Sequence, residues 1–163
     1  MKNIWHSRLW LAFALLSLAF TCEQAQQQAS EQKPAGPPRV EIRAKGGKTA
    51  VFEVELAITK EQQAIGLMRR KELAEDRGML FIMPYSNYQL FWMKDTWIQL
   101  DMIFIDDHFR IAGIIENAQP ESEKTLTINL PSRYVLEING GLCKKLGIRE
   151  GDAVKFLGVA AEK

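Results

Sequence analysis

Six polar or aromatic residues stand where chemistry could be done: Trp92, Lys94, Thr96, Asp101, Asn117 and Glu137. Lys94 and Asp101 flank the short connection Asp95-Thr96-Trp97-Ile98-Gln99 between two apolar runs, Leu90–Lys94 and Leu100–Ile105. If both runs are strands, alternation puts Trp92 and Lys94 on one face, and Asp101 shares a face with Ile103 and Ile105. Lys94 and Asp101 are then placed to meet as a cross-strand ion pair. Glu137 sits inside another apolar run, Val135-Leu136-Glu137-Ile138, and is a third member for that cluster. A charge embedded in apolar strands is costly unless paired.

Two readings of the cluster follow. In one it is a ligand pocket, with Lys94, Thr96, Asp101 and Glu137 as polar groups and Trp92 or Trp97 as an apolar wall, the usual make-up of a binding site. Asn117, in the turn Asn117-Ala118-Gln119-Pro120, is a further lining residue for it. In the other reading the same groups form a structural network that pins strand register. A hydrolase that uses Asp101 and Glu137 as an acid/base pair is the enzymatic alternative, and it depends on the carboxylate separation.

Other chemistries find fewer parts. No Cys-x-x-Cys occurs, and only His6 and His108 are present, so a zinc site or a Ser-His-Asp triad lacks members. Met68, Met79, Met83, Met93 and Met102 would suit Cu(I). Each lies in an apolar run without Met-x-Met spacing, which favours gap-filling in a core. Cys143 reads as a small buried hydrophobe, and Arg69-Arg70-Lys71 as a solvated face. No resident cofactor is expected.

The elements that must position these residues begin after residue 38. Lys2, His6 and Arg8 precede the apolar run Leu9–Phe20, which is too short for the about 20 residues a membrane-spanning helix needs. The pattern reads as a secretory signal peptide over 1–21. The run ends at Cys22, as a bacterial lipoprotein signal does, although Leu18 and Thr21 depart from the usual residues before the cysteine. Cys22 is therefore the expected lipidation site, and ordinary secretion or an uncleaved anchor are the alternatives. Residues 22–38 are rich in Gln and then Pro, with no large apolar side chain, and read as a disordered tether. The expected location is the periplasm or cell envelope, with the membrane as partner through that lipid and a small ligand or envelope protein as the other.

The chain of 163 residues carries 21 basic and 20 acidic residues. Residues 1–38 hold three of the former and two of the latter, so residues 39–163 have no net charge. No nucleic-acid partner is expected from that balance. Val40–Ala44 and Val51–Leu56 alternate as strands around a Gly46-Gly47 turn. Thr59 and Gln62 form a capping-box pattern for a helix that contains Gly66. Gly78–Met83 reads as a strand stopped by Pro84, and further strands are expected at Phe109–Ile115, Val135–Ile138 and Val154–Leu157. Gly140-Gly141 opens a short helix through Leu146. The sum is a mainly β, compact, largely antiparallel barrel or sandwich of about eight strands with one or two short helices.

The ordered pieces Gly66-Leu67-Met68, Gly78-Met79-Leu80-Phe81, Phe91-Trp92-Met93-Lys94-Asp95-Thr96, Leu100-Asp101-Met102-Ile103-Phe104-Ile105-Asp106, Leu136-Glu137, Gly140-Gly141 and Gly151-Asp152 resemble the domain of unknown function 192 family over roughly residues 40–158. The resemblance implies a compact, largely antiparallel barrel-like fold and brings no established activity. His108-Phe109 departs from it, because the family places a glycine in that turn.

Overall fold

The computed structural model describes residues 36–159. The signal-peptide and Cys22 readings and most of the tether lie outside the described residues. Seven strands form one sheet: β1 (Arg39–Arg43), β2 (Thr49–Ala57), β3 (Arg77–Tyr88), β4 (Leu100–Ile105), β5 (Ile111–Ala118), β6 (Pro131–Asn139) and β7 (Ala153–Leu157). Their spatial order is β5-β4-β6-β3-β2-β1-β7. All neighbours run antiparallel except β2 and β3, which are joined through helix α1 (Lys60–Ile65). A second helix, α2 (Leu142–Leu146), follows β6.

The sheet curls into a half-barrel. At one end its two edges touch: Val154 N–H donates to the Phe109 carbonyl at 2.9 Å and Gly151 N–H to that of Ile111 at 2.8 Å. The mainly β, largely antiparallel expectation holds, with seven strands instead of eight. The difference is Leu90–Lys94. Its side chains alternate in burial as a strand's do, but its backbone makes one isolated bridge, Phe91 to Leu126, and otherwise runs as a covering loop.

Two cores result. The enclosed face buries Val40, Ile42, Phe52, Leu80, Ile103, Ile105 and Leu136, and α2 closes it with Leu142 and Cys143. The outer face buries Met79, Phe81, Met93, Leu100, Met102 and Phe104. Every residue of β4 is buried, so this strand serves both cores and reads as a continuous apolar run, as central strands do. Met79, Met93 and Met102 lie within the outer core.

Two further differences concern the site. The capping box is present: Gln62 N–H donates to Thr59 Oγ1, and Gln62 Oε1 accepts from Thr59 N–H. The helix nevertheless stops at Ile65, and Gly66 is its C-cap at φ +48°. A side chain there would be strained, and its Cβ would lie 3.1 Å from the Phe81 ring. β3 also runs through Pro84. It bulges there: between the pairs Ile82–Tyr134 and Asn87–Ser132, four residues of β3 face the single residue Arg133. The bulge frees Pro84 from donating to the ladder.

Candidate functional site

β6 brings Glu137 to the outer face, directly between Met79 of β3 and Met102 of β4. The residue is 4% exposed. No hydrogen bond or ion pair among the described residues ends on its carboxyl. Burial alone pushes its pKa from 4.5 up to about 8. At neutral pH the group is therefore largely a protonated acid. Backbone packing holds it in place: a Cβ at Gly78 would come within 2.6 Å of the Glu137 carbonyl, so β3 and β6 close up here only with glycine at 78.

Glu137 forms the floor of a small cavity of about 30 Å³. Gly66, Leu67 and Met68 after α1 form one wall, and Phe81, Phe91, Trp92 and Thr96 form the others. The rings are fixed edge to face, with centroids 5.1 Å apart for Phe81 and Phe91 and 5.9 Å for Phe91 and Phe104. The covering loop is tied down by its backbone. Met93 N–H donates to the Ser122 carbonyl at 2.8 Å, and Arg69 N–H donates to that of Asp95 at 2.7 Å. Thr96 Oγ1 donates to the Lys94 carbonyl at 3.2 Å, and Gln63 Nε2 at the rim donates to that of Ile82 at 2.9 Å. The Thr96 hydroxyl and the Gln63 amide N–H groups thus already have partners, and the Glu137 carboxyl has none among the described residues.

The six sequence candidates fall in three places. Trp92, Thr96 and Glu137 meet in this cavity. Lys94 stands outside it, with Nζ 5.4 Å from the Trp92 ring centroid and 3.8 Å from Glu123 Oε1. Asp101 points to the opposite face. It pairs with Ile138, one residue on from Glu137, and lies on the enclosed side with Ile103 and Ile105. The expected Lys94–Asp101 ion pair is therefore not made. Asp101 and Glu137 also cannot act on one substrate atom, because the sheet lies between them, and an acid/base pair of these two is excluded on geometry. Asn117 goes with Asp101, not with the cavity.

Asp101 is fully buried and organises backbone. Its Oδ1 accepts from Asn117 N–H at 2.8 Å and from Gly141 N–H at 2.9 Å, and its Oδ2 accepts from Cys143 N–H at 2.8 Å. It thereby caps α2, whose own N-cap Gly141 has no side chain to do so. It also holds the β5 bulge, where β5 advances three residues against two of β4 and Asn117 takes φ +54°. Cys143 is fully buried beside this carboxylate, and burial together with the Asp101 charge raises its thiol pKa. In folded protein, iodoacetamide should leave Cys143 unmodified by peptide mass mapping, and urea should make it reactive.

The sequence reading missed the walls formed by Phe81, Phe91 and Gly66–Met68. Their signal was the cluster of apolar residues around two glycines that sit where a Cβ would clash.

The family model for DUF192, described as an uncharacterized ACR, matches residues 41–156. The chain belongs to the DUF192 family. Two crystal structures resemble this DUF192 domain at 38% sequence identity. One is a Sinorhizobium meliloti protein labelled a candidate transcription regulator, with TM-score 0.73, covering 80% of this chain and 100% of that one. The other is a Novosphingobium aromaticivorans protein of unknown function, with TM-score 0.71, covering 77% and 97%. No curated protein matches the chain.

Proposed function

We propose that this chain is a non-enzymatic binding module of the cell envelope, tethered through Cys22, whose Glu137 cavity receives the primary ammonium end of a ligand or partner. The observation that carries the reading is Glu137 itself, a residue 4% exposed whose carboxyl opens onto an aromatic cavity with no hydrogen-bond partner among the described residues. An unpaired buried acid is costly, and such groups gather at functional sites. An ammonium supplies the missing charge, and the cavity is lined by the aromatic rings of Phe81, Phe91 and Trp92, a residue class whose ring faces attract cations. The volume suits a head of one or two heavy atoms, since one water needs about 10–15 Å³ of such space. A guanidinium or a trimethylammonium is too large. Binding is favoured over catalysis because the Thr96 hydroxyl and the Gln63 amide N–H groups are committed to backbone carbonyls and no second titratable side chain among the described residues lines the cavity.

The test is a titration with n-butylamine, with n-butanol and tetramethylammonium as controls, followed by NMR at the Trp92 indole. Butylamine should shift that signal and the controls should not. Binding requires the ionised carboxyl, so affinity should rise about tenfold per pH unit below about 8 and level off above it. Glu137→Gln should weaken binding at least tenfold. Equal response to butanol, a flat pH profile, or unchanged affinity in the variant overturns the reading.

A further inference from the structure

The zero net charge of residues 39–163 conceals a local excess. The β1–β2 turn and the segment from α2 to β7 face each other across a cleft of about 320 Å³. Lys45 and Lys48 line one side, and Lys144, Lys145 and Arg149 line the other. All five are exposed, and no acidic residue contributes to the lining. Ala44, Leu146 and Gly147 make up the apolar part.

The two rims are fixed to each other by one buried group. Asp152, 1% exposed, accepts Lys45 N–H on Oδ1 at 3.1 Å and Arg149 N–H on Oδ2 at 2.8 Å. A single carboxylate thus holds the backbone of both basic walls, so the cleft does not have to be assembled when a ligand arrives. Three of the charges have acidic neighbours. Lys145 Nζ pairs with Glu75 outside the cleft at 2.7 Å, and the Asp152 carboxylate lies behind Lys45 and Arg149. Lys48 and Lys144 form no ion pair among the described residues. Like charges gathered on two rims repel one another, and a multiply charged anion between them removes that cost.

We infer that this cleft binds a small soluble anion carrying two or more phosphate groups. Its size favours this over a single monovalent ion, because small-ligand sites begin near 300 Å³. Its concave shape between two rims held by one carboxylate favours a small soluble ligand over a flat charged surface. The inference does not depend on the Glu137 cavity, which lies on the outer face of the sheet.

The experiment is calorimetric titration of the full chain with pyrophosphate at low ionic strength. Binding is expected in wild type and in Glu137→Gln alike. The double variant Lys48→Glu/Lys144→Glu should lose at least tenfold in affinity with an unchanged melting temperature, since both side chains are exposed. Raising salt should weaken binding, as for any site built from screened surface charges. Phosphatidylglycerol vesicles and a duplex DNA are titrated in parallel. Absence of pyrophosphate binding, equal affinity in the double variant, or binding to vesicles or DNA without binding to pyrophosphate overturns the assignment.

Discussion

Glu137→Gln is expected to make the protein more stable above pH 8 and no more stable at pH 5. In the unfolded chain this carboxyl ionises near 4.5, whereas in the folded protein it holds its proton up to about 8. Between those values the folded state binds the extra proton, so stability falls as pH rises and levels off above about 8. At about 1.4 kcal/mol per pH unit, the whole window is worth about 5 kcal/mol. Glutamine does not ionise and removes that slope. It brings two N–H donors into the same apolar cavity, at a cost of about 1–3 kcal/mol. The two curves should therefore cross, with a gain on the order of 10 °C in melting temperature at pH 8.5. Thermal denaturation of both proteins across pH 5–9 gives the answer. A variant less stable at every pH means that Glu137 already has a structural partner, and the cavity then has no use for a ligand. A stabilised variant that no longer binds amines is the pattern of a site kept at the expense of stability.

The opposite behaviour of the two buried carboxyls explains what the sequence conveyed and what it did not. That Asp101 and Glu137 are embedded in apolar strands is plain from their neighbours. Which face each takes depends on how β4 pairs with β6, and side chains alternate with a period of two. With Asp101 opposite Ile138, the two carboxyls fall on different faces. A shift of one residue would have put them together, as the sequence reading supposed. Nothing local sets that register. It is set by both faces of β4 needing burial at once, and by a bulge at Asn117, a residue type that accepts positive φ but does not say by how much the ladder shifts. Local signals fared better. The Thr59–Gln62 box, the Gly46-Gly47 turn and the Gly141 start of α2 involve residues within a few positions of each other, so their geometry follows from their types. The parallel pairing of β2 with β3 and the basic cleft join distant segments. For the cleft, whole-domain charge was the wrong measure, because 45–48 and 144–149 become neighbours only when β7 pairs with β1 and Asp152 ties Lys45 to Arg149. The departure at His108-Phe109 is resolved in the same way. Phe109 takes φ +56° where glycine would be easier, and its ring packs on Tyr134 and Phe156 at 5.7 and 5.4 Å.

Asp101→Ala should be the most damaging single change in the enclosed core, and Asp101→Asn should be only somewhat milder. Alanine leaves the N–H groups of Asn117, Gly141 and Cys143 without an acceptor. Each buried donor so stranded costs about 1–3 kcal/mol, and hydrogen bonds to a charged acceptor lie at the upper end. Three of them approach the about 5–15 kcal/mol that holds a whole domain together. Asparagine keeps one oxygen but turns an NH₂ toward the remaining backbone donors, so at least one bond is replaced by a repulsive contact. The damage should also have a location. α2 loses its cap and the β5 bulge loses its anchor, so the end of the half-barrel that α2 closes should open before the rest. Cys143 reports on that event, because its thiol is buried beneath the cap. In Asp101→Asn, iodoacetamide should therefore label Cys143 under conditions where the wild-type thiol is inert and the sheet, by circular dichroism, is still folded. If Asp101→Asn keeps the wild-type melting temperature and a protected Cys143, the capping role is wrong, and a ligand-facing role for this carboxylate would have to be reconsidered.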